Sequence, residues 1–248
     1  MVSIFTPGFL SGRHIDKAME QFAKNFQSGQ KVLDIGCGRM PYKHFFNCSY
    51  VGVDPVASVN PDVVAPAWDI PLPNASVDGI ILNQSLEHIA ETENTVQEIK
   101  RILKPGGLLI LTVPHTVRDH SDVIPAAKAP VHTFNVNDHP YWRVDYYRFT
   151  KFGLIYLFRG FETVSITPTT GYIGSLFQLS SLFFASLGLK WVFSPIYVIN
   201  NILALGFDSF FASLQRLPIP SLKKFYHYTY LSLPMNHIAI FRSRETLL

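Results

Sequence analysis

The sequence predicts an α/β protein built on a doubly wound, mainly parallel β-sheet. Short apolar runs rich in Val, Ile and Leu alternate along the chain with stretches of helical periodicity. This alternation is typical of a parallel sheet covered by helices on both faces. A Gly-Cys-Gly turn directly follows the first of the apolar runs. Because ligands bind beyond the carboxyl ends of the strands in such sheets, the same pattern predicts the position of a binding site.

The composition indicates a globular chain with an apolar excess. Of its 248 residues, 48% are hydrophobic and 16% are charged, whereas an average domain has roughly 25% charged residues. The net charge of +3, without any cluster of five basic residues, argues against nucleic-acid binding. The two cysteines, Cys37 and Cys48, and an N-terminus without a leader pattern lead us to expect a cytoplasmic protein without disulfides.

The first half of the chain contains the clearest alternation. A helix is predicted over 14–27, where Ile15, Met19 and Phe22 share one face. The segment Leu-Lys-Pro-Gly-Gly at 103–107 predicts a helix end and a turn into a strand. The remaining predicted elements here are strands at 32–35, 50–54, 77–83 and 107–114 and a helix at 92–103.

The second half begins with a polar, irregular stretch at 115–149, dense in His, Pro and Asp. A loop of that length inside a compact domain is usually functional or disordered. Thr150 is then a predicted N-cap, 161–168 a further strand and 237–244 a last strand. Between those two strands lies an apolar segment in which residues 163–207 contain a single charge, Lys190.

The glycine turn and the next strand form a candidate nucleotide site. Gly36 and Gly38 permit a sharp turn and the close approach of a ligand to the backbone. Asp54 ends the following strand, and a carboxylate there can accept both hydroxyls of a ribose. Pro41 stands where a dinucleotide fingerprint has its third glycine, which weighs against a nicotinamide cofactor.

Further motifs follow in a fixed order: Trp-Asp-Ile-Pro-Leu-Pro, Ser-Leu-Glu-His, Leu-Lys-Pro-Gly-Gly and Asp-Tyr-Tyr-Arg-Phe-Thr. With the glycine turn, they resemble the class I S-adenosylmethionine-dependent methyltransferases, and most closely a bacterial group, similar to methyltransferase-domain type 11, that is often found in surface-polysaccharide pathways. The resemblance covers roughly residues 30–168 and the last strand. It implies a Rossmann-like, seven-stranded sheet with a hydrophobic helical insertion before the last strand, and S-adenosylmethionine as cofactor.

The resemblance also implies roles for particular residues. Asp34 would attract the ammonium group of the cofactor, Asp54 would hold the ribose, and Asp69 would accept from the adenine amine. Solvated strand-end acids, and for Asp69 a turn-forming role, are the alternatives. Cys37 is interpreted as a small buried residue and not as a nucleophile. The predicted cofactor-binding residues are Asp34, Gly36, Cys37, Gly38, Asp54, Pro55, Asp69, Ile70, Asn83, Gln84 and Ser85.

On the acceptor side, His132, Asp145 and His88 are the candidate catalytic residues. Methyl transfer from a sulfonium mainly requires alignment, but an oxygen or nitrogen acceptor also needs a base, for which we favour His132. For Glu87 and His88, capping and orienting the helix that follows the strand at 77–83 is the alternative role. Arg148 is expected either to bind an anionic acceptor or to pair with Asp145. The histidine spacing matches no zinc pattern, so no metal is expected.

The apolar segment divides the predicted domains. Residues 1–170 plus 236–248 would form the cofactor-binding domain, and 171–235 a helical insertion. Contact of 172–215 with a membrane surface, a spanning hairpin, and a cap or dimer interface all remain open.

The predicted function is methyl transfer from S-adenosylmethionine to a small or lipid-linked acceptor, with a hydroxyl of a glycan or quinone-like molecule favoured. A non-catalytic, membrane-associated scaffold and a nicotinamide-dependent oxidoreductase are the alternatives. A peripheral position at the cytoplasmic membrane face is a further expectation.

Overall fold

The computed structural model describes residues 2–117 and 144–244, with Lys190 and Trp191 described by their backbone only. The strands in these residues are β1 Lys31–Ile35, β2 Ser49–Asp54, β3 Val63–Val64, β4 Val77–Asn83, β5 Leu103–Pro114, β6 Phe161–Pro168 and β7 Asn236–Ser243. The helices are α1 Phe9–Ala23, α2 Thr92–Ile102, α3 Lys151–Leu157, α4 Tyr172–Ser186, α5 Lys190–Leu214 and α6 Pro220–Tyr228.

The seven strands form one sheet in the order β3-β2-β1-β4-β5-β7-β6. Strand β1 pairs in parallel with β2 on one side and with β4 on the other, so that Asp34 lies beside Gly52 and Ile81. The chain order therefore reverses between β1 and β4, which is the position where open α/β sheets bind ligands. The predicted Rossmann-like fold, with its helical insertion before the last strand, is confirmed.

The central strands explain why their sequences are unbroken apolar runs. Ile80, Ile81 and Leu82 of β4 have no exposed surface, because both faces of a parallel strand are covered. On α2, Val96, Ile99 and Ile102 are buried, as the helical spacing requires. The buried core thus holds the carboxyl ends of β1, β2 and β4 next to one another at one edge of the sheet.

Two element boundaries differ from the sequence predictions. The turn expected at 103–107 lies inside β5, because Leu103 already pairs with Val77 and the register shifts before Gly79. Helix α1 begins at Phe9 and ends at Ala23, earlier at both ends than predicted. Leu10 is also buried in this helix, which explains the earlier start.

The described residues group into two compact units. The first contains 2–20, 114–117 and 167–238, and the second contains 21–113, 144–166 and 239–244. The predicted domains, 1–170 plus 236–248 and 171–235, stay a prediction. The compact grouping differs from them chiefly in placing the N-terminal residues with the insertion, where Asn201 Nδ2 donates to the carbonyl oxygens of Ile4 (2.8 Å) and Thr6 (3.3 Å).

In the first unit, α4 and α5 pack against each other as an antiparallel pair of helices, with aromatic and polar contacts between them. Phe184 and Phe193 lie 5.0 Å apart between ring centroids, and Asn200 Nδ2 donates to Ser181 Oγ at 3.0 Å. Helix α5 has 25 residues and continues through Pro195, which costs one helical hydrogen bond near its start. Lys190, the single charge in 163–207, is the first residue of this helix.

A buried junction joins α4, α5 and the turn at Tyr230. The N-cap of α4, Gly171, has no side chain, and Asp208 of α5 accepts from the backbone N–H groups of Gly171 and Gly174 and from the Tyr230 hydroxyl. A Cβ at Gly174 would lie 2.7 Å from Asp208 Oδ2. Glycine therefore allows the carboxylate of one helix to cap another. Burial raises the pKa of Asp208, although these hydrogen bonds oppose that shift.

Candidate active site

The turn after β1 has a backbone that only glycine adopts without strain. Gly36 has φ +69° and Gly38 has φ +49°. A Cβ at Gly36 would lie 2.4 Å from Ser85 Oγ, whereas the space beside Gly38 is open to 4 Å. The N–H groups of Gly36 and Cys37 both donate to the carbonyl oxygen of Val53, at 2.8 and 3.1 Å, so the turn is bound to β2.

Asp54 lies at the end of β2, directly against this turn. Its Oδ2 accepts from Gly38 N and its Oδ1 from Val56 N, each at 2.9 Å. A carboxylate has about four acceptor positions, so both oxygens keep capacity for ligand hydroxyls. The predicted ribose-binding acid is therefore oriented by the backbone beside a turn with open space. Pro55 follows it at the same edge of the sheet.

Asp34 is more enclosed than the other predicted residues. Its side chain is 2% exposed, and Oδ2 accepts from the Tyr50 hydroxyl at 2.6 Å. Burial raises the pKa of Asp34 to about 7, the Asp54 charge adds to the rise, and the Tyr50 hydrogen bond opposes it. A ligand cation nearby would favour the ionised form, so attraction of the ammonium group stays a prediction.

Asn83, Gln84 and Ser85, three of the predicted cofactor-binding residues, meet at the end of β4. Ser85 Oγ donates to Asn83 O at 2.9 Å and lies 3.4 Å from Gly36 O. Thr112 of β5 donates to Asn83 Oδ1 at 2.6 Å and accepts from Gln84 Nε2 at 3.0 Å. Gln84 has φ +47°, a left-handed conformation that costs energy in a non-glycine residue. Such strain is common at functional sites.

Asp69, predicted to accept from the adenine amine, and its predicted cofactor-binding neighbour Ile70 differ in exposure. Asp69 is exposed, whereas the Ile70 side chain is 1% exposed. The Ile70 N–H donates to Glu98 Oε1 at 2.7 Å, and its carbonyl accepts from Arg101. Asp69 thus remains open to a ligand, while Ile70 belongs to the packing beneath.

Cys37 is buried, and burial together with the nearby acids raises the pKa of its thiol to about 12. The thiol is therefore protonated at neutral pH, which agrees with its interpretation as a small buried residue.

A polar cluster follows the end of β4. His88 Nδ1 lies 3.1 Å from Asp145 Oδ1 and 3.0 Å from the Val144 carbonyl oxygen, and Arg148 Nη2 donates to Asp145 Oδ2 at 2.6 Å. The structure thus brings together His88 and Asp145, two candidate catalytic residues. Of the two roles considered for Arg148, pairing with Asp145 is confirmed. His132, the favoured base, lies outside the described residues.

The sequence assigned no role to Tyr50 and considered Glu87 only as a capping residue beside His88. Glu87 has no exposed side-chain surface, and burial raises its pKa to about 8. Its position beside His88 in the Ser-Leu-Glu-His motif was the available signal. Tyr50 could be found only through the pairing of β1 and β2. In the described ranges, no group of three or more His, Cys, Asp or Glu side chains has metal-binding geometry.

The fold and the site define a nucleoside-binding α/β enzyme of the class I methyltransferase type. Residues 9–166, more than half of the chain, match the family described as a methyltransferase domain. The chain belongs to this family, the S-adenosylmethionine-dependent methyltransferases, and its cofactor is S-adenosylmethionine. The site fits that cofactor, because the open backbone at Gly38 and the spare acceptor positions of Asp54 serve a nucleoside without a phosphate.

Curated relatives match over part of their length. A tRNA (carboxymethyluridine(34)-5-O)-methyltransferase of Arabidopsis thaliana is 31% identical over 105 residues, covering 37% of this chain and 26% of the relative. A probable S-adenosylmethionine-dependent methyltransferase of Mycolicibacterium smegmatis is 25% identical over 134 residues, covering 45% of this chain and 47% of the relative. The matched parts span less than half of these relatives.

Solved structures show the same fold at low identity. The [4+2]-cyclase SpnF has a TM-score of 0.54 and 16% identity, covering 93% of this chain and 82% of its own. Phosphoethanolamine N-methyltransferase 2 of Haemonchus contortus, solved with S-adenosylmethionine, has a TM-score of 0.53 and 15% identity, covering 94% of this chain and 53% of its own. A cyclase and a methyltransferase thus share this fold, so fold alone does not decide the chemistry.

Proposed function

We propose that this chain transfers the methyl group of S-adenosylmethionine to a hydroxyl of a small or lipid-linked acceptor. The observation that carries the proposal is the glycine turn at Gly36–Gly38 with Asp54 bonded to it, at the point where the strand order reverses. A glycan or quinone-like acceptor, as in surface-polysaccharide pathways, is the finer form of this proposal.

The strand ends bind the cofactor in this proposal. Asp54, with Pro55, holds the ribose hydroxyls, and Gly36, Cys37 and Gly38 accommodate the amino-acid tail. Asp34 attracts the ammonium group, Asp69 accepts from the adenine amine above Ile70, and Asn83, Gln84 and Ser85 line the wall near the sulfonium. The bound cofactor supplies an activated methyl group, so the chain's own contribution is alignment of the acceptor and removal of its proton.

Methyl transfer to a hydroxyl also requires a base that removes the hydroxyl proton. His132 is the proposed base for the hydroxyl proton. His88 and Asp145 are the second choice for this role, supported by their 3.1 Å pairing close to the end of β4. A nitrogen acceptor would need the same alignment and proton removal. Analysis of the methylated product therefore decides between an oxygen and a nitrogen acceptor.

Calorimetric titration with S-adenosylmethionine tests the cofactor site. Asp54→Ala removes a charged acceptor, and we expect binding to weaken by about 1–3 kcal/mol. Glu162→Ala is the matched control, because this acid is 56% exposed and lies on β6. Unchanged affinity in Asp54→Ala would contradict the ribose assignment. Absence of binding by the unaltered chain would favour the scaffold, and binding of NADH instead would favour the oxidoreductase.

The lipid-linked form of the acceptor is supported by the surface of the first unit. Residues 171–235 contain four Lys or Arg and one acid, and that acid, Asp208, is engaged in the helical junction. Apolar side chains in 172–215 that are more than half exposed are Phe183, Leu187, Leu189, Val192, Ile199, Ile202 and Phe210. An exposed apolar surface flanked by cations is typical of peripheral contact with an anionic bilayer.

We therefore propose peripheral membrane contact through 172–215, at the cytoplasmic face. Within the described part of the chain, Val192–Leu214 has the length and composition of a spanning helix. Spanning and a subunit interface are the alternatives, and vesicle flotation of the full chain, with its extraction by high-pH carbonate, separates them. Flotation that carbonate reverses supports peripheral contact, resistance to carbonate supports spanning, and no flotation with a concentration-dependent dimer supports the interface.

A further inference from the structure

The loop at 69–74 can satisfy few of its backbone groups by itself. Pro71 and Pro73 have no N–H, and both prolines disfavour helical conformations in the residues before them. Within the loop, Leu72 N donates to the carbonyl oxygen of Ile70 at 2.7 Å. The remaining polar groups of the loop therefore need partners from another element.

Helix α2 supplies these partners through two side chains one turn apart, Glu98 and Arg101. Arg101 Nη2 donates to the Ile70 carbonyl oxygen at 2.9 Å. Its Nη1 donates to the Leu72 carbonyl oxygen at 2.7 Å and to Asn74 Oδ1 at 2.8 Å. Glu98 Oε1 accepts from Ile70 N at 2.7 Å. One helix thus binds the backbone of Ile70 through both its N–H and its carbonyl oxygen.

The guanidinium group of Arg101 is fully used in this arrangement. Two further N–H groups bind Glu98, with Nε donating to Oε2 and Nη2 to Oε1, each at 2.7 Å. All five N–H donors of the side chain therefore have acceptors in a planar fork that a lysine cannot reproduce. Hydrogen bonding to Arg101 lowers the pKa of Glu98, while burial opposes the shift and the Ile70 N–H adds to it. The pair is consequently ionised at neutral pH.

The segment that joins the loop to β4 is held in a different way. Ala75 N and Ser76 N donate to the main-chain carbonyl oxygens of Arg101 and Ile102, each at 2.8 Å. These contacts do not depend on any side chain. Replacing the Arg101 side chain should therefore loosen 69–74 and leave this segment in place.

Asp69, at the start of the loop, is exposed. Hydrogen bonding to Glu98 raises the pKa of Arg101, and the charge of Asp69 adds to the rise. The Asp69 carboxylate therefore lies within electrostatic reach of the guanidinium while it stays open to a ligand.

We propose that Glu98 and Arg101 are positioning residues that hold the loop 69–74 in the conformation that faces the cofactor's adenine, and that they thereby set the selectivity of the site for the nucleoside base. They act through the loop, with Asp69 as the residue that meets the exocyclic amine. The effect on base selectivity rests on the proposed function, whereas the ordering of the loop does not.

Hydrogen exchange at the Ile70 amide measures the order of the loop without any ligand. Arg101→Met removes all five donors, including the two that orient Glu98, so we expect protection at Ile70 to fall by about tenfold or more. Protection at Ser76 should be unchanged, because its N–H is bound to main chain. Arg242→Met is the matched control, since Arg242 forms an exposed ion pair on β7 and should leave the Ile70 amide unaffected. Equal protection of Ile70 in the unaltered chain and in Arg101→Met would overturn the proposal.

Base selectivity separates positioning from a purely structural role. Calorimetry with S-adenosylhomocysteine and S-inosylhomocysteine compares adenine with a base that has an oxygen in place of the exocyclic amine. A carboxylate facing that oxygen sets two acceptors against each other, so we expect the unaltered chain to prefer the adenine by about tenfold or more. In Arg101→Met this preference should fall to about threefold or less, because the loop is no longer fixed. A purely structural role would weaken both ligands by the same factor, and an unchanged ratio would overturn the proposal.

Two further variants complete the test. Arg101→Lys guards against misfolding of Arg101→Met, because it keeps the charge but presents its donors from a single nitrogen, and its preference for adenine should also fall. Asp69→Asn distinguishes this inference from the proposed function. A reduced preference in both Arg101 variants with an unchanged one in Asp69→Asn would sink the adenine assignment of Asp69 and keep the positioning role. A reduced preference in Asp69→Asn alone would do the reverse, and equal affinity of the unaltered chain for the two nucleosides would overturn both.

Discussion

At the scale of single residues, the site depends on two glycines that look alike in the sequence and differ in the structure. Gly36 and Gly38 both have positive φ, but only Gly36 lies against a neighbouring side chain, Ser85. The glycine turn could therefore be predicted from the sequence, while the different cost of replacing each glycine could not.

We expect Gly36→Ala to lower the free energy of unfolding by about 2–4 kcal/mol, since it adds a clash with Ser85 to the strain of a left-handed alanine. Gly38→Ala should cost about 1 kcal/mol from backbone strain alone. Chemical denaturation measures both. In Gly36→Ala/Ser85→Ala the closest contact, to Ser85 Oγ, is removed, so part of the loss should return. Equal costs for the two single variants would contradict the steric argument.

Buried polar pairs are the part of the site that the sequence could not predict. The Asp34–Tyr50 hydrogen bond and the burial of Glu87 both depend on which strands and segments become neighbours. Motif spacing identified the acids, but protonation states follow from desolvation, which is a property of the packed fold.

At the scale of elements, six of the seven strands were located from the sequence, because their apolar runs are long enough to cross a buried sheet. The two-residue strand β3 was missed, because two residues are too few to form a pattern. Helix α3 and its N-cap are also confirmed, since Thr150 Oγ1 accepts from Gly153 N at 3.0 Å. The full length of α5 was missed because Pro195 and polar Asn side chains interrupt its apolar pattern. Those amides are buried against partners that only the tertiary structure supplies.

The cap that α5 provides for α4 gives an element-scale prediction. Asp208→Ala leaves the N–H groups of Gly171 and Gly174 and the Tyr230 hydroxyl without their acceptor, and we expect a loss of about 2–4 kcal/mol in unfolding free energy. Tyr230→Phe removes one of these bonds and should cost about 1 kcal/mol. Urea unfolding measures both. A smaller loss in Asp208→Ala than in Tyr230→Phe would show that the carboxylate is not the cap.

At the scale of the whole molecule, the two compact units differ in surface chemistry. The second unit carries the predicted cofactor-binding residues, whereas the exposed apolar side chains of 172–215 belong to the first. The sequence predicted this contrast from charge density alone. It did not predict that residues 2–20 group with the insertion, because that depends on contacts far apart along the chain.

For the membrane proposal, we expect Phe183→Gln/Val192→Gln/Phe210→Gln to lose at least tenfold in binding to vesicles that contain anionic lipid, since each replaced side chain is more than half exposed. Phe152→Gln, 77% exposed on α3, is the matched control and should bind normally. Vesicle flotation measures both.

The cationic contribution to this binding is tested by salt. Lys223→Glu/Lys224→Glu should weaken binding at low salt and have little effect at high salt, where charges are screened beyond about 3 Å at 1 M. Lys43→Glu/Lys151→Glu makes the same charge change outside 171–235. Equal effects of the two pairs would show that net charge, and not this surface, determines binding.

The carbonyl oxygen of Val53, which accepts from both Gly36 N and Cys37 N, has a consequence for ligand choice. It ties the loop after β1 to the strand that carries Asp54. The distance between the proposed ribose and amino-acid-tail positions is therefore set by the main chain and not by side-chain rotamers. Side-chain substitutions around the site should thus change how tightly nucleosides bind, yet leave the preferred molecular length unaltered.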